Sequence, residues 1–523
     1  MTHPASPGRS LEIEIKLALP TSDPSALLQQ LASVPVLARR KHALKQVHNL
    51  YFDTPEQALR AQRMAVRLRR VDGPAGAEWL QTLKTSGVGE GALSRRGEWE
   101  APVPGPALVQ SELQAAPPWR RLDPDGGVFA ALLPCFATDF ERVVWTVRQR
   151  DGSAIEVALD RGQTTAGGRT APICELELEL LSGEPAALFA LVRQIARRVA
   201  VLPLAASKAQ RGYALLQDAL DTPQYACPLP LGDKAPFAEV ARGVLAEMFG
   251  QFTANLDALC RSDAPELVHQ ARVGWRRFRS ALRLFRPGLA AQAMPSWDGL
   301  APLLALLGEL RDLDVACTQT LPALQPLWVA GDAARAPAWQ AMEQAFAQAA
   351  LAQRRAVRRA LQTPAVGAAL LATTEWLETL AVPPGADSAA GQDGQAPSAS
   401  RKALRHWLRR RMARLHARWK KALADTAHVQ SQHRARILAK RLRYNAEALR
   451  PLLPARAQRW QQQASRLQQG LGAARDVVQA GVLAARLDVD PALAGFLRGF
   501  AAGQGALPAL PAPSASSAAG DGV

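Results

Sequence analysis

Glu12, Glu14 and Lys16 alternate with Leu11, Ile13, Ile15 and Leu17. In an extended chain that spacing sends three charges to one face and the aliphatic side chains to the other. The same period of two recurs in Arg67 and Arg69, in Arg96, Glu98 and Glu100, in Glu156 and Asp160, and in Glu175, Glu177 and Glu179, while Lys84 and Arg142 end or begin similar runs. One such segment alone reads as a strand with a solvated face. Recurrence changes the reading, because converging faces would line a single cavity with carboxylates and cations together. Burying unpaired charges costs several kcal/mol each, so the set calls for ligands to complete it. Hard divalent cations take oxygen ligands, and clustered Arg and Lys suit phosphate oxygens. A polyphosphate compound chelated by Mg2+ or Mn2+ satisfies both sets.

A second constellation has helical rather than strand spacing. His269, Arg272, Arg276, Arg279, Arg283 and Arg286 recur at steps of three and four, and His433, Arg436, Lys440, Arg443 and Arg450 repeat the pattern with Glu447 interrupting. Each set makes one basic stripe on a helix. Residues 401–450 hold 16 basic and two acidic side chains, and self-repulsion on that scale favours an anionic ligand. DNA, RNA, acidic protein and inorganic polyphosphate all qualify by charge. No recognition-helix motif or interleaved aromatic platform favours nucleic acid. The strings GxxxxGK[ST], HExxH and GxSxG are absent, which leaves no support for a P-loop, a zincin or an α/β-hydrolase nucleophile.

The elements that must carry these residues differ between the halves. Residues 1–230 hold 26 basic and 24 acidic side chains, and 231–523 hold 37 and 22, so nearly all of the formal charge of +17 lies in the second half. The first half reads as short alternating strands broken by Gly and Pro, with helical patterns near Ser25–Ser33 and Ala186–Val199. The second is rich in Ala, Leu, Arg and Gln, with helical periodicity nearly throughout. A shift of 164 residues lays His269, Arg272, Arg276, Arg277 and Arg279 on His433, Arg436, Lys440, Arg441 and Arg443, and carries Gly308, Arg311 and Asp312 onto Gly472, Arg475 and Asp476. One constant shift across two separated motifs implies two similar helical lobes. The Gly–Arg–Asp motif reads as structural Arg to Asp pairing between helices. The expected fold is therefore an α+β antiparallel closed barrel followed by an all-α helical bundle with two repeated lobes. The expected boundaries are 1–221 for the barrel, 222–234 for a linker, 235–505 for the helical domain with a flexible loop at 382–400, and 506–523 for a disordered tail.

With 48% hydrophobic residues, 523 residues suffice for several sizeable cores. Five cysteines, Cys135, Cys174, Cys227, Cys260 and Cys317, have no metal or redox spacing and cannot all pair within one chain, which fits a reducing, cytoplasmic setting. Neither a signal peptide nor a membrane span is expected.

The strings EIEIK (Glu12 to Lys16), YFDT (Tyr51 to Thr54), AVRLRR (Ala65 to Arg70), RRGEWE (Arg95 to Glu100), CELELEL (Cys174 to Leu180) and SKAQRGY (Ser207 to Tyr213), with Lys84 and the Glu141–Arg142 pair between them, resemble in order the CYTH domain of the triphosphate tunnel metalloenzymes. The repeated helical half resembles a CHAD domain, and the combination resembles bacterial fusion proteins of the inorganic triphosphatase type. The resemblance implies metal ligation by Glu12, Glu14, Glu175 and Glu177, with Glu179 as a further contributor. It implies a triphosphate clamp of Lys16, Arg67, Arg69, Lys84, Arg96 and Arg142. Glu98, Glu100, Glu156 and Asp160 would orient clamp residues, hold metal-bound waters, or simply pair with neighbouring Arg. Lys208 and Arg211 would sit on a terminal helix closing one mouth of the barrel, within reach of a phosphate, while Tyr51 and Asp53 would pack and orient. For the helical half the resemblance implies inorganic polyphosphate, bound by His269, Arg272, Arg276, Arg279, His433, Arg436, Lys440 and Arg443. The activity implied is hydrolysis of inorganic tripolyphosphate to pyrophosphate and phosphate. The alternatives are an adenylate cyclase or thiamine triphosphatase on the same barrel, or a non-catalytic polyphosphate-binding protein.

Overall fold

Alternation in the first half closes a sheet upon itself. The computed structural model describes residues 11–21, 23–73, 76–85, 87, 91–229, 235–289, 294–380, 401–424, 429–470 and 472–504. Ten antiparallel strands are formed: β1 (Glu12–Ala18), β2 (His42–Asp53), β3 (Met64–Gly73), β4 (Gly76–Thr85), β5 (Leu93–Arg96), β6 (Glu98–Pro102), β7 (Leu133–Arg148), β8 (Ala154–Ala166), β9 (Arg169–Ser182) and β10 (Leu202–Pro203). They pair in the order β10, β1, β9, β8, β7, β2, β3, β4, β6, and β5 returns to β1. Only Gly97 separates β5, which pairs β1, from β6, which pairs β4, so the ring is nearly closed there. A Cβ on Gly97 would lie 2.5 Å from the Trp99 ring and 2.9 Å from Thr85 Oγ1, so only glycine lets the chain change partners at this point.

Both faces of the key strands are buried, which a half-solvated strand would not show. Ile15 and Leu17 pack outward with Leu176, Leu178 and Leu180 against helix α1 (Pro185–Ala196). Each fully buried aliphatic of this layer contributes about 1.5–3 kcal/mol. Glu12, Glu14 and Lys16 point the other way, into the barrel, and are at most 5% exposed. Helix α2 (Lys208–Leu216) starts from a capping box between Ser207 and Gln210 and crosses one end of the barrel. Two contacts seat it. A Cβ on Gly212 would come within 2.2 Å of the Phe136 ring, and the Tyr213 hydroxyl donates to Asp53 Oδ2 at 2.6 Å. Asp53 in turn accepts from the backbone N–H groups of Leu59 and Arg60.

The second half is helical. Its longer helices are α3 (Phe237–Leu259), α4 (Pro265–Phe285), α5 (Ala301–Val315), α6 (Ala336–Leu361), α7 (Pro364–Glu378), α8 (Arg401–Ala424), α9 (Val429–Ala448), α10 (Ala455–Gly470), α11 (Gly472–Arg486) and α12 (Pro491–Gln504). A shift of 164 carries the bounds of α3 and α4 onto those of α8 and α9 within a residue. The buried clusters nevertheless run across both copies. One joins α3, α4 and α5 with α8, α9 and α10, and another joins α5 and α6 with α11 and α12. α4 packs on its own counterpart α9, and α5 on α11.

The two halves share surface as well. Ala18, Leu202 and Leu204 join the helical core, Arg95 pairs with Glu378 at 3.2 Å, and Arg193 pairs with Glu375. A Cβ on Gly367 of α7 would meet the Val201 carbonyl oxygen at 2.4 Å, so helix and barrel touch backbone to backbone. Residues 222–229 form no helix or strand and lie along α3, where Gln224 N–H donates to Asn255 Oδ1 and Cys227 N–H to Glu247 Oε1. The rest of the expected linker, the expected flexible loop at 382–400 and the expected tail at 506–523 lie outside the described residues. All five cysteines are free thiols, and among the described residues no helix is long and apolar enough to cross a membrane.

Candidate active site

Register decides which charges meet inside the barrel. Lys16 lies opposite Glu177, Glu14 opposite Glu179, Asp160 opposite Glu175 and Arg142 opposite Asp160, so β1, β9, β8 and β7 bring their inward faces together in one band. From the other side β3, β4, β5 and β6 contribute Arg67, Arg69, Lys84, Arg96, Glu98 and Glu100 to the same cavity of about 1770 Å3. Past α2 this cavity continues to Asp257 and Arg261 of the helical half.

The charges form two groups. In the first, Asp160, Glu175 and Glu177 each offer an oxygen within 4.8 Å of the others, the one such trio among the described residues. Arg142 grips Asp160 with two bonds of 2.7 Å and reaches Glu177 at 2.5 Å, and Lys16 pairs with Glu177 at 2.6 Å. Lys208 enters from α2 and touches all three carboxylates, at 2.6, 2.5 and 3.0 Å. Burial alone would depress the Lys208 ammonium, but these carboxylates outweigh it and raise it. In the second group Glu12 accepts from Lys84 at 3.0 Å and from Arg96 at 2.6 Å, Glu14 pairs with Lys16 and Arg96, and Glu98 pairs with Lys84 at 3.0 Å. Glu12 is held far below the usual carboxylate range because Lys84 and Arg96 override the opposing effect of burial. Glu179 goes the other way. Burial and the neighbouring Glu12 and Glu98 push its carboxyl up to about 7.

Two positions are incompletely matched. Oε2 of Glu175 is buried and accepts no hydrogen bond, although the residue is fully enclosed. Arg69 forms no ion pair among the described residues; its Nε donates to Asn49 Oδ1 at 2.9 Å, and Asn49 is held by Thr138. Burial and the neighbouring Arg67 and Arg142 pull the Arg69 guanidinium down to about 10.

All the barrel residues singled out from sequence thus reach the interior, but not as one ligand set. Glu175 and Glu177 stand with Asp160, while Glu12, Glu14 and Glu179 stand apart among Lys84, Arg96 and Glu98. Asp160 is more central than its sequence rank suggested. Its register opposite Glu175 and its place four residues after Glu156 were the available signals. Asn49 was missed, though it shares the inward period of Tyr51 and Asp53. Lys208 is only 6% exposed, whereas Arg211 turns to the Pro172 carbonyl at 3.0 Å. Tyr51 stacks on Phe136.

Between the helices the basic side chains of both copies converge. Arg276 lies close enough to depress Lys440, its equivalent in the repeat. Burial, Arg276, Arg436 and Arg475 together bring that amine down to about 7. Arg272 is lowered by burial, Arg276, Arg311 and Arg475, and Arg436 by burial and Arg475. Burial and Arg311 take His269 down to about 4. The Gly–Arg–Asp motif belongs to this cluster. Gly308 leaves room for Arg272, whose Nη1 lies 3.1 Å from where a Cβ would stand, and Asp312 and Asp476 each feel the arginines of both copies. Arg279 leaves the stripe to sit over Trp297 at 4.9 Å, Arg443 lies over Tyr444, and His433 is exposed.

Two family models match the chain: the CYTH domain over residues 10–213 and the CHAD domain over residues 243–485. An inorganic triphosphatase from Haemophilus influenzae is 36% identical over 205 residues, which are 39% of this chain and 54% of that protein. The chain therefore spans about half the length of the curated relative it matches. Among solved structures, the CHAD domain from the plant Ricinus communis is 28% identical, with a TM-score of 0.44, over 55% of this chain and 92% of that one. A Hippeastrum protein studied as an adenylyl cyclase and described as having a dominant triphosphatase activity is 23% identical, with a TM-score of 0.29, over 40% of this chain and 96% of that one.

Proposed function

We propose that this chain, a CYTH domain followed by a CHAD domain, hydrolyses inorganic tripolyphosphate to pyrophosphate and phosphate in its barrel, with Mg2+ or Mn2+, and binds longer inorganic polyphosphate through its helical half. The observation that carries the barrel reading is a double deficit. Among the described residues Arg69 forms no ion pair, while Oε2 of the buried Glu175 accepts no hydrogen bond. A metal-chelated triphosphate supplies both at once. The 36% identity to an inorganic triphosphatase supports the same reading.

The donor set fits a hard divalent ion, because it consists of carboxylate oxygens alone and one of them has no other partner. Glu175, Glu177 and Asp160 would hold such an ion, with Glu12, Glu14 and Glu179 as the further ligands the family resemblance names. When bound, the ion offsets phosphate charge and makes a bound water a better nucleophile. The rest is done by the chain. Arg69, Arg67, Arg142, Lys84, Arg96 and Lys16 reach phosphate oxygens and neutralise the charge that shifts to the leaving pyrophosphate, and the barrel wall keeps the reacting groups aligned. Asn49 holds Arg69 through Nε, which would leave its Nη groups for phosphate oxygens.

In the helical half the support is electrostatic. Lys440, Arg272 and Arg436 are all depressed by burial and like charge, which an entering polyanion would relieve. Asp312 and Asp476 would repel a phosphate chain, but the cations around them outnumber them.

The decisive assay is phosphate release from tripolyphosphate, longer polyphosphate, ATP and thiamine triphosphate, each with Mg2+, Mn2+ or EDTA. Fast release from tripolyphosphate alone, lost with EDTA, is the expected result. Equal or faster use of ATP or thiamine triphosphate, or release in EDTA, would overturn the assignment.

A further inference from the structure

Lys208 sits where an ion would sit. Its Nζ lies within 3.0 Å of one oxygen from each of Asp160, Glu175 and Glu177, and these are the three residues whose carboxylates are spaced to suit a cation. The enclosure is tight: Asp160 and Glu175 have no exposed surface and the Lys208 side chain is 7% exposed. Mg2+ needs oxygens at about 2.0–2.1 Å and would have to take the centre of the same trio. An ammonium and a divalent ion cannot share that centre.

We propose that Lys208 is a built-in cation that competes with a divalent ion for Asp160, Glu175 and Glu177, holding the three carboxylates together in the ion-free protein and leaving when an ion enters. The charge balance favours exchange over addition. Arg142 pairs with Asp160 and Glu177 and Lys16 pairs with Glu177, so a divalent ion added beside the Lys208 ammonium would leave the three carboxylates with an excess of positive charge that departure of the ammonium reduces. The unpartnered Oε2 of Glu175 is the acceptor that the ammonium leaves unsatisfied and a metal ion would use. The exit is local. Lys208 is the first residue of α2, with a flexible four-carbon stem, while the helix itself stays anchored further along by Gly212 against Phe136 and by Tyr213 on Asp53. Lys208 is thereby a residue that sets ion affinity, which goes beyond a phosphate contact.

This inference rests on the divalent-ion reading of the barrel, and its test separates the two. Mn2+ binding to the full-length, substrate-free protein is measured from the free-ion EPR signal for the unaltered chain, Lys208→Met and Lys208→Arg. Lys208→Met should bind Mn2+ about tenfold or more tightly, because an adjacent positive charge has been removed, and Lys208→Arg should stay near the unaltered chain. The ion-free Lys208→Met protein should melt at lower temperature and regain more from Mn2+ than the unaltered chain does. Mn2+ binding by the unaltered chain with equal or weaker affinity in Lys208→Met would overturn the competition alone, whereas no binding by any form would overturn the metal reading with it. If Lys208→Met does not fold, reductive methylation of Lys208 in the unaltered chain, read by peptide mass, should accelerate when Mg2+ is added. An unchanged rate would refute displacement.

Discussion

The barrel and the helical cluster use the same cationic residues under opposite electrostatic conditions. Inside the barrel Lys16, Arg67, Arg96, Arg142 and Lys208 are raised despite burial, because carboxylates lie against each of them. Between the helices Arg272, Arg436, Arg441 and Lys440 are lowered, since burial is joined by like charge. A balanced set holds its own shape through the pairs within it. A surplus of one sign is kept together by packing and gains from any polyanion that fills it. Arg69 is the exception inside the barrel: it shares the lowered state of the helical cluster, and it forms no ion pair among the described residues.

The largest expected effect follows from removing charge from the balanced set. Glu177→Gln keeps the shape of a residue that faces Lys16, Arg142 and Lys208, and phosphate release from tripolyphosphate should fall by roughly a thousandfold or more. Turnover within a few-fold of normal would show that the carboxylate trio does not serve the reaction.

Arg69 and Arg142 should separate substrate binding from fold. Arg69→Ala removes one hydrogen bond to Asn49, so the melting transition should lose only about 1 kcal/mol while kcat/KM for tripolyphosphate falls about a hundredfold. Arg142→Ala strips Asp160 and Glu177 of a shared cation and should cost about 3–5 kcal/mol in urea unfolding. Similar stability losses in the two variants would break the distinction between paired and unpaired cations.

How far this contrast could be read from sequence depends on which distances matter. The inward direction of Glu12, Glu14, Lys16, Glu175 and Glu177 follows from a period of two within single strands, and the structure keeps it. Partner choice is a matter of register between strands. Asp160 therefore ranked below Glu179 in the sequence, yet it faces Glu175 while Glu179 stands among other acids. The depth of Lys208 was hidden for a similar reason, since it depends on Gly212 finding Phe136 and Tyr213 finding Asp53 across the chain. In the helical half the stripes were legible from steps of three and four. The contribution of Arg311 and Arg475, and the turning of Arg279 onto Trp297, arise from packing between helices and leave no local signature.

Acidity should sharpen the helical side of the comparison. Lys440 is down at about 7 in the free protein, and a bound polyanion would favour its charged form. Polyphosphate affinity should therefore be greatest below pH 7 and fall as pH rises above it, by up to about tenfold per unit, and Lys440→Arg should flatten the slope. A flat profile in the unaltered chain would remove Lys440 from the binding surface. A smaller effect concerns stability without ligand. Replacing Arg276 and Lys440 with Gln relieves like-charge contact, so at low salt the melting temperature should rise by an amount equivalent to about 1 kcal/mol or less, and the gain should vanish at high salt. A fall at low salt would mean that these cations have counter-charges after all.

The central claim is that the balanced barrel and the unbalanced helical cluster are separate sites with separate requirements. Binding of long polyphosphate to the full chain, measured in EDTA by fluorescence anisotropy, tests it most directly in three forms: unaltered, Glu177→Gln, and a fourfold Ala variant of Arg272, Arg276, Arg436 and Lys440. The account predicts equal affinity for the first two and most of the binding lost in the third. Loss of binding in Glu177→Gln, or unaltered binding in the fourfold variant, would contradict it.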